Sequence, residues 1–82
     1  AAPFPNPARG VVSVPYALPA PAPVRLTVID ALGREVARLV DGPRPAGHHT
    51  ARLDTGPLPS GVYLVRAEID DAILVGSLVV AR

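Results

Sequence analysis

Gly61-Val62-Tyr63-Leu64-Val65-Arg66-Ala67-Glu68-Ile69-Asp70-Asp71-Ala72-Ile73-Leu74-Val75-Gly76-Ser77-Leu78-Val79-Val80-Ala81 is the stretch whose reading decides the fold. Period-two alternation sets Tyr63, Val65, Ala67 and Ile69 on one face and Arg66 and Glu68 on the other, which is a strand with one buried side. Asp70-Asp71 then supplies a tight turn into a second run, Ala72 to Ala81, that is apolar on both faces. Leu74, Leu78 and Val80 are expected inward, and the lack of polar alternation predicts a central strand.

Working outward, the same signature recurs. Gly47 to Asp54 puts His49, Ala51 and Leu53 on one side and His48, Thr50 and Arg52 on the other, and a loop over 55–60 leads into Gly61. Val24 to Asp30 sets Val24, Leu26 and Val28 against a solvent side of Arg25 and Thr27. Val11 to Leu18 sets Val12, Val14, Tyr16 and Leu18 against Val11, Ser13, Pro15 and Ala17, with Pro15 demanding an edge strand or a bulge. Between Val24–Asp30 and Glu35–Val40 lies Asp30-Ala31-Leu32-Gly33-Arg34, where Asp30 can close an Asx turn and Gly33 can take the left-handed conformation of a hairpin. A helix over 31–40 competes, because Leu32, Val36, Leu39 and Val40 also fit a helical stripe; the surrounding strands and the Gly33 break favour the hairpin.

Prolines fall in bursts, Pro3-Phe4-Pro5-Asn6-Pro7, Pro19-Ala20-Pro21-Ala22-Pro23 and Gly42-Pro43-Arg44-Pro45, which excludes helices and central strands there. Short Val/Leu/Ile runs between such breaks predict an all-β domain. The expected fold is an immunoglobulin-like antiparallel β-sandwich of about seven strands, with residues 11–82 as the sandwich and 1–10 as a Pro-rich linker.

Composition narrows the function. The chain has 82 residues, 49% of them apolar, so it can form one core with a thin stability margin. Its formal net charge is +1, all the cationic residues are arginine, and no basic run forms, which argues against a nucleic-acid partner. No apolar stretch approaches the roughly 18 residues of a membrane helix. With no cysteine there is no disulfide and no thiolate chemistry.

A search for a catalytic constellation is negative, and no cofactor is implied. Asp30, Asp41, Asp54, Asp70 and Asp71 sit at strand ends and turns, where structure alone explains them. His48 and His49 are consecutive on a strand and point to opposite faces, so they cannot chelate one metal ion; His49 is expected partly buried on a backbone partner. Asp70-Asp71 supplies too few oxygens for calcium. Leu58-Pro59-Ser60-Gly61-Val62-Tyr63 reads as the approach to a tyrosine corner, with the Tyr63 hydroxyl bonding back to the backbone upstream.

In order, Phe4-Pro5-Asn6-Pro7-Ala8, Val14-Pro15-Tyr16-Ala17-Leu18-Pro19, Val28-Ile29-Asp30-Ala31-Leu32-Gly33-Arg34-Glu35-Val36, Ala46-Gly47-His48-His49 and Leu58-Pro59-Ser60-Gly61-Val62-Tyr63 form a series. In that series the chain resembles the type A C-terminal sorting domains of type IX secretion, found on exported proteins of the Bacteroidetes and their relatives. The resemblance implies a non-catalytic domain that follows an N-terminal cargo domain and directs it through the periplasm to the outer-membrane cell surface or the medium. It implies the type IX translocon and the outer-membrane sorting machinery as partners. Sorting-motif residues by resemblance are Pro5, Asn6 and Pro7, then Asp30 and Gly33, Gly61 and Tyr63, and finally Leu78, Val80 and Arg82 of the last strand. Many members carry a lysine where this chain has Ser77. Val75 to Arg82 is expected to be the recognised element.

Two other readings compete. A carbohydrate-binding module would present aromatic rings on one flat face, but both Tyr16 and Tyr63 fall on core-facing positions. A spacer immunoglobulin-like module, as in flagellar hook-capping proteins, shares the strand pattern.

Overall fold

A computed structural model describes residues 10–81. They form six strands: β1 (Val11–Leu18), β2 (Ala22–Ile29), β3 (Glu35–Arg44), β4 (Gly47–Asp54), β5 (Gly61–Ile69) and β6 (Ala72–Val80). The expectation of about seven is thereby corrected to six among the described residues. The strands lie in two antiparallel sheets, one of four strands in the order β3-β2-β5-β6 and one of two, β1-β4. The sandwich and the absence of a disulfide agree with the sequence reading.

Alternation fills the space between the sheets as elementary patterning requires. Val12, Val14 and Leu18 of β1 and Ala51 and Leu53 of β4 meet Val24, Leu26, Val28, Val40, Tyr63, Val65, Leu78 and Val80 of the larger sheet, all buried. Each buried valine or leucine among them, taken from water, stabilises the fold by roughly 1.5–3 kcal/mol before the entropy of ordering the chain is subtracted.

The Glu35–Val40 run is a strand, not a helix, and it extends to Arg44. Its helix-like spacing has a structural cause. The register with β2 skips Leu39, between Leu26↔Val40 and Thr27↔Arg38, and skips Val36, between Val28↔Ala37 and Ile29↔Glu35. Two bulges therefore break the period of two at two of the four residues that mimic a helical stripe.

The prolines sit where no ladder bond is lost. Pro15 faces Thr50 in the two-stranded sheet. Pro23 corrects the expectation that this burst avoids a central strand, since it lies in β2 opposite Pro43. The ladder to β5 starts one residue later, at Val24↔Ile69, and the Pro23 carbonyl accepts from Asp70 N at 3.1 Å, so its polar groups face away from β3. Two prolines without N–H groups thus share a pair that needs no donor.

Three further expectations change. β6 is not central but the last strand of its sheet, because β5 already has β2 on one side and β1 has gone to the other sheet. Leu74 keeps its inward parity yet is 61% exposed, while Leu78 on the same face is 0% exposed. Two strands cannot cover the inner face of four, and the far half of β6 is what they leave bare. Thr27, expected on the solvent side, is buried, flanked in register by Arg38 and Arg66, whose aliphatic stems can lie over it. Leu78→Ala is expected to cost about 2–5 kcal/mol in urea unfolding, while Leu74→Ala changes stability by less than about 0.5 kcal/mol; equal losses at both positions would contradict this placement.

Candidate recognition site

Every strand has one terminus at a common end of the sandwich, here called the pole. β2 stops and β3 starts around the Asp30–Arg34 turn, β4 passes into β5 through residues 55–60, β6 ends against the start of β5, and β1 begins beside Asp54. Motifs far apart in sequence therefore meet there.

The Asp30 turn is built from its own carboxylate. Leu32 N and Arg34 N donate to Asp30 Oδ1 at 3.0 and 2.9 Å, and Arg34 Nε pairs with Oδ2 at 2.9 Å. Gly33, at φ +84°, supplies the left-handed step that an L side chain rarely adopts. The Arg34 backbone N–H, the largest influence, together with the guanidinium and the Leu32 N–H, holds the Asp30 carboxyl below its ordinary value.

Across the pole, the Tyr63 hydroxyl donates to Pro59 O at 2.5 Å, four residues upstream, which is the tyrosine corner read from the sequence. Leu78 and Val80 are buried directly opposite Tyr63 and Gly61 in the β5–β6 register. Between the two connections lies a pocket of about 330 Å³ lined by Asp30, Leu32, Val36, Leu58, Val62 and Tyr63. The structure thus brings Asp30, Gly33, Gly61, Tyr63, Leu78 and Val80 together. Pro5, Asn6, Pro7 and Arg82 lie outside the described residues.

Beside them lies a surface of which the sequence reading named only the last strand, Val75 to Arg82, and not its neighbours on β5. The outer face of the larger sheet is divided in two. Over β3, β2 and β5, Arg25 lies 3.9 Å from Asp41 and 3.5 Å from Glu68, Arg38 pairs with Glu35 and Asp41, and Arg66 with Glu68, all at least partly solvated and each worth little to stability. Over β5 and β6 the same face carries exposed Val62, Leu64, Ile73, Val75 and Val79. On the inner side Leu74 borders an apolar groove of about 230 Å³ against Val14, Tyr16, Ala67 and Ile69. The signal was visible: no charge occurs from Ala72 to Val80.

The remaining candidates have structural partners. His48 is exposed, whereas His49 stacks on Tyr16 with ring centroids 5.1 Å apart. His49 Nε2 lies 2.7 Å from Pro45 O, and because a carbonyl only accepts, the ring donates through that nitrogen. Neither described tyrosine offers a free flat ring, since Tyr63 is buried and Tyr16 is half-buried against His49. Among the described residues no three His, Cys, Asp or Glu side chains gather as a metal site would require.

Two outcomes follow from the pole. Tyr63→Phe is expected to lower unfolding stability by about 0.5–1.5 kcal/mol, and unchanged melting would remove the corner from the account. Because the folded-state carboxyl of Asp30 is held low, its contribution is complete above the unfolded value near 3.9 and is lost as pH falls through the lower, folded value. Melting temperature measured from pH 6 to pH 2 should therefore fall more steeply below about pH 4 for the natural chain than for Asp30→Asn.

Comparison with known proteins adds one finding. Residues 2–81 match the family described as the secretion system C-terminal sorting domain. No curated protein and no solved structure matches the chain. Domains of that family are sorting signals, in general not catalysts, and they imply contact with the type IX machinery and attachment to a larger cargo. A match over nearly the whole sequence, on a six-stranded sandwich whose motifs converge at one end, places this chain in the secretion system C-terminal sorting domain family, whose members direct proteins through type IX secretion to the cell surface or the medium.

Proposed function

We propose that the type IX translocon recognises this domain through its β6 side, and that the domain itself catalyses nothing. The observation that carries the reading is the division of the outer face. Its β3 half is closed by ion pairs, while its β6 half exposes Ile73, Val75, Val62 and Leu64, with Leu74 beneath them. An uncharged sheet edge flanked by apolar side chains suits docking by strand addition or face contact.

Within this proposal the motif residues act in two ways. Tyr63, Leu78 and Val80 are buried and hold the end of β6 against β5, while Asp30 and Gly33 shape the neighbouring turn. Pro5, Asn6, Pro7 and Arg82 belong to the same signal at its two ends. Residues 11–82 form the sorting unit, and the Pro-rich segment before it joins the cargo. The non-catalytic reading is supported by the occupation of the carboxylates. Asp30 and Asp54 accept backbone N–H groups, with Asp54 Oδ1 on Gly56 N at 2.9 Å, and Glu35, Asp41 and Glu68 are in ion pairs.

The test is export of a fluorescent cargo fused ahead of these residues in a type IX secreting host. Leu74→Lys combined with Val75→Lys is expected to lower the exported fraction at least about tenfold, with melting of the purified domain little changed because both sites are exposed. Asp41→Asn, on the charged half, should export normally. Full export of the double variant would refute recognition by the β6 side. Removing Val75–Arg82 is less decisive, because it also removes Leu78 and Val80 from the core.

A further inference from the structure

The two edges of the larger sheet are built differently. β3 has bulges at Val36 and Leu39, a proline at Pro43, and charged side chains along its length. These are devices by which natural sheets discourage further pairing. β6 has none of them: from Ala72 to Val80 there is no charge, no proline and no register shift against β5. Among the described residues only β5 lies beside it.

Backbone alternation decides which groups that edge presents. Asp70 N donates to Pro23 O at 3.1 Å, and this pair continues the β2–β5 register. Glu68, Arg66 and Leu64 of β5 therefore also turn their backbone polar groups to β2. Ile69, Ala67 and Val65 turn theirs to β6, where they meet Ala72, Leu74 and Gly76. The residues between, Ile73 and Val75, are left pointing their N–H and C=O groups away from β5, along the open edge. Their side chains are 56% and 59% exposed on the outer face, and Leu74 between them is 61% exposed on the inner one.

This array is complementary to itself. An antiparallel two-fold through Leu74 sets Ile73 of each copy opposite Val75 of the other, a pair that exchanges both backbone hydrogen bonds. Ala72 then falls opposite Gly76, and the two Leu74 side chains meet on the axis, each beside a groove lined by Tyr16, Ala67 and Ile69. A two-fold through Val75 would instead set Leu74 against Gly76 and Ile73 against Ser77. Because the strand carries no charge, pairing with its own copy brings no like charges together. We propose that two copies of this chain pair antiparallel through residues 72–76 of β6, with Leu74 on the two-fold axis. Such an interface uses the same patch on both partners, so it closes at the dimer. The joined sheet then ends at both sides in β3, the edge already protected. The pairing does not rest on recognition by the translocon; it uses the same edge, so the two exclude each other.

Sedimentation equilibrium of the complete 82-residue chain tests it. The weight-average mass should rise with concentration toward twice the monomer value. Leu74→Lys, which would place two like charges on the axis, should hold the chain at the monomer mass, with melting in dilute solution little changed because the site is exposed. The chain has no cysteine, so single cysteine variants report the register. Across the axis the Leu74 Cα atoms would lie about 4.5 Å apart. Under oxidised glutathione, Leu74→Cys should therefore form an intermolecular disulfide at least about tenfold faster than Ile73→Cys, whose Cα atoms lie beyond the roughly 7 Å that a disulfide spans. A monomer at every concentration, a dimer indifferent to Leu74→Lys, or cross-linking as fast at position 73 as at 74 would each overturn the proposal. None of these results bears on export.

Discussion

A sheet of two strands packed on a sheet of four is the constraint from which the other properties of this domain descend. Apolar burial between them is the dominant favourable term, and in a chain of this size it leaves little surplus over the entropy of ordering. The small sheet can cover only part of its partner's inner face. Where it does, Val28 and Leu78 are sealed from water; where it does not, Leu74 stands open although it shares the face and the strand of Leu78. The same geometric deficit makes β6 an edge and gives the groove beside it its apolar lining.

That deficit also shapes the outside of the domain. The outer face of the larger sheet separates a charged half, occupied with its own ion pairs, from an uncharged half along β6. The pole ties the two halves to the start of β1 and the end of β6. The Asp30 turn and the tyrosine corner hold β2, β3 and β5 in register there, so the end of β6 and the beginning of β1 are delivered to the same place. Residues that look scattered in sequence are thus a single structural unit.

Much of this unit is legible in the order of its amino acids. The Asx turn at Asp30, the left-handed Gly33, the Tyr63 hydroxyl bonded upstream and the half-buried His49 on a backbone carbonyl all follow from local chemistry, which acts over a few residues and needs no tertiary partner. The inward faces of β1, β4 and β5 follow from alternation, because on one side of each strand apolar or aromatic side chains recur at every second residue. The family is legible in the spacing of its motifs. The β3 bulges are not, since the mismatch between Val36, Leu39 and the period of two looks the same whether its origin is a helix or a bulged strand.

By itself, then, the sequence determined the strands, their turns, their polar and apolar faces and the kind of domain they make, because these depend on interactions between near neighbours. Only the tertiary structure decided that β6 lies at an edge, that Leu74 is bare and Leu78 buried, and that Thr27 is enclosed. A run of apolar residues on both faces is equally consistent with a strand in the middle of a sheet and with one at its rim. The difference lies in what is packed beside it, and that is settled by how many strands each sheet receives.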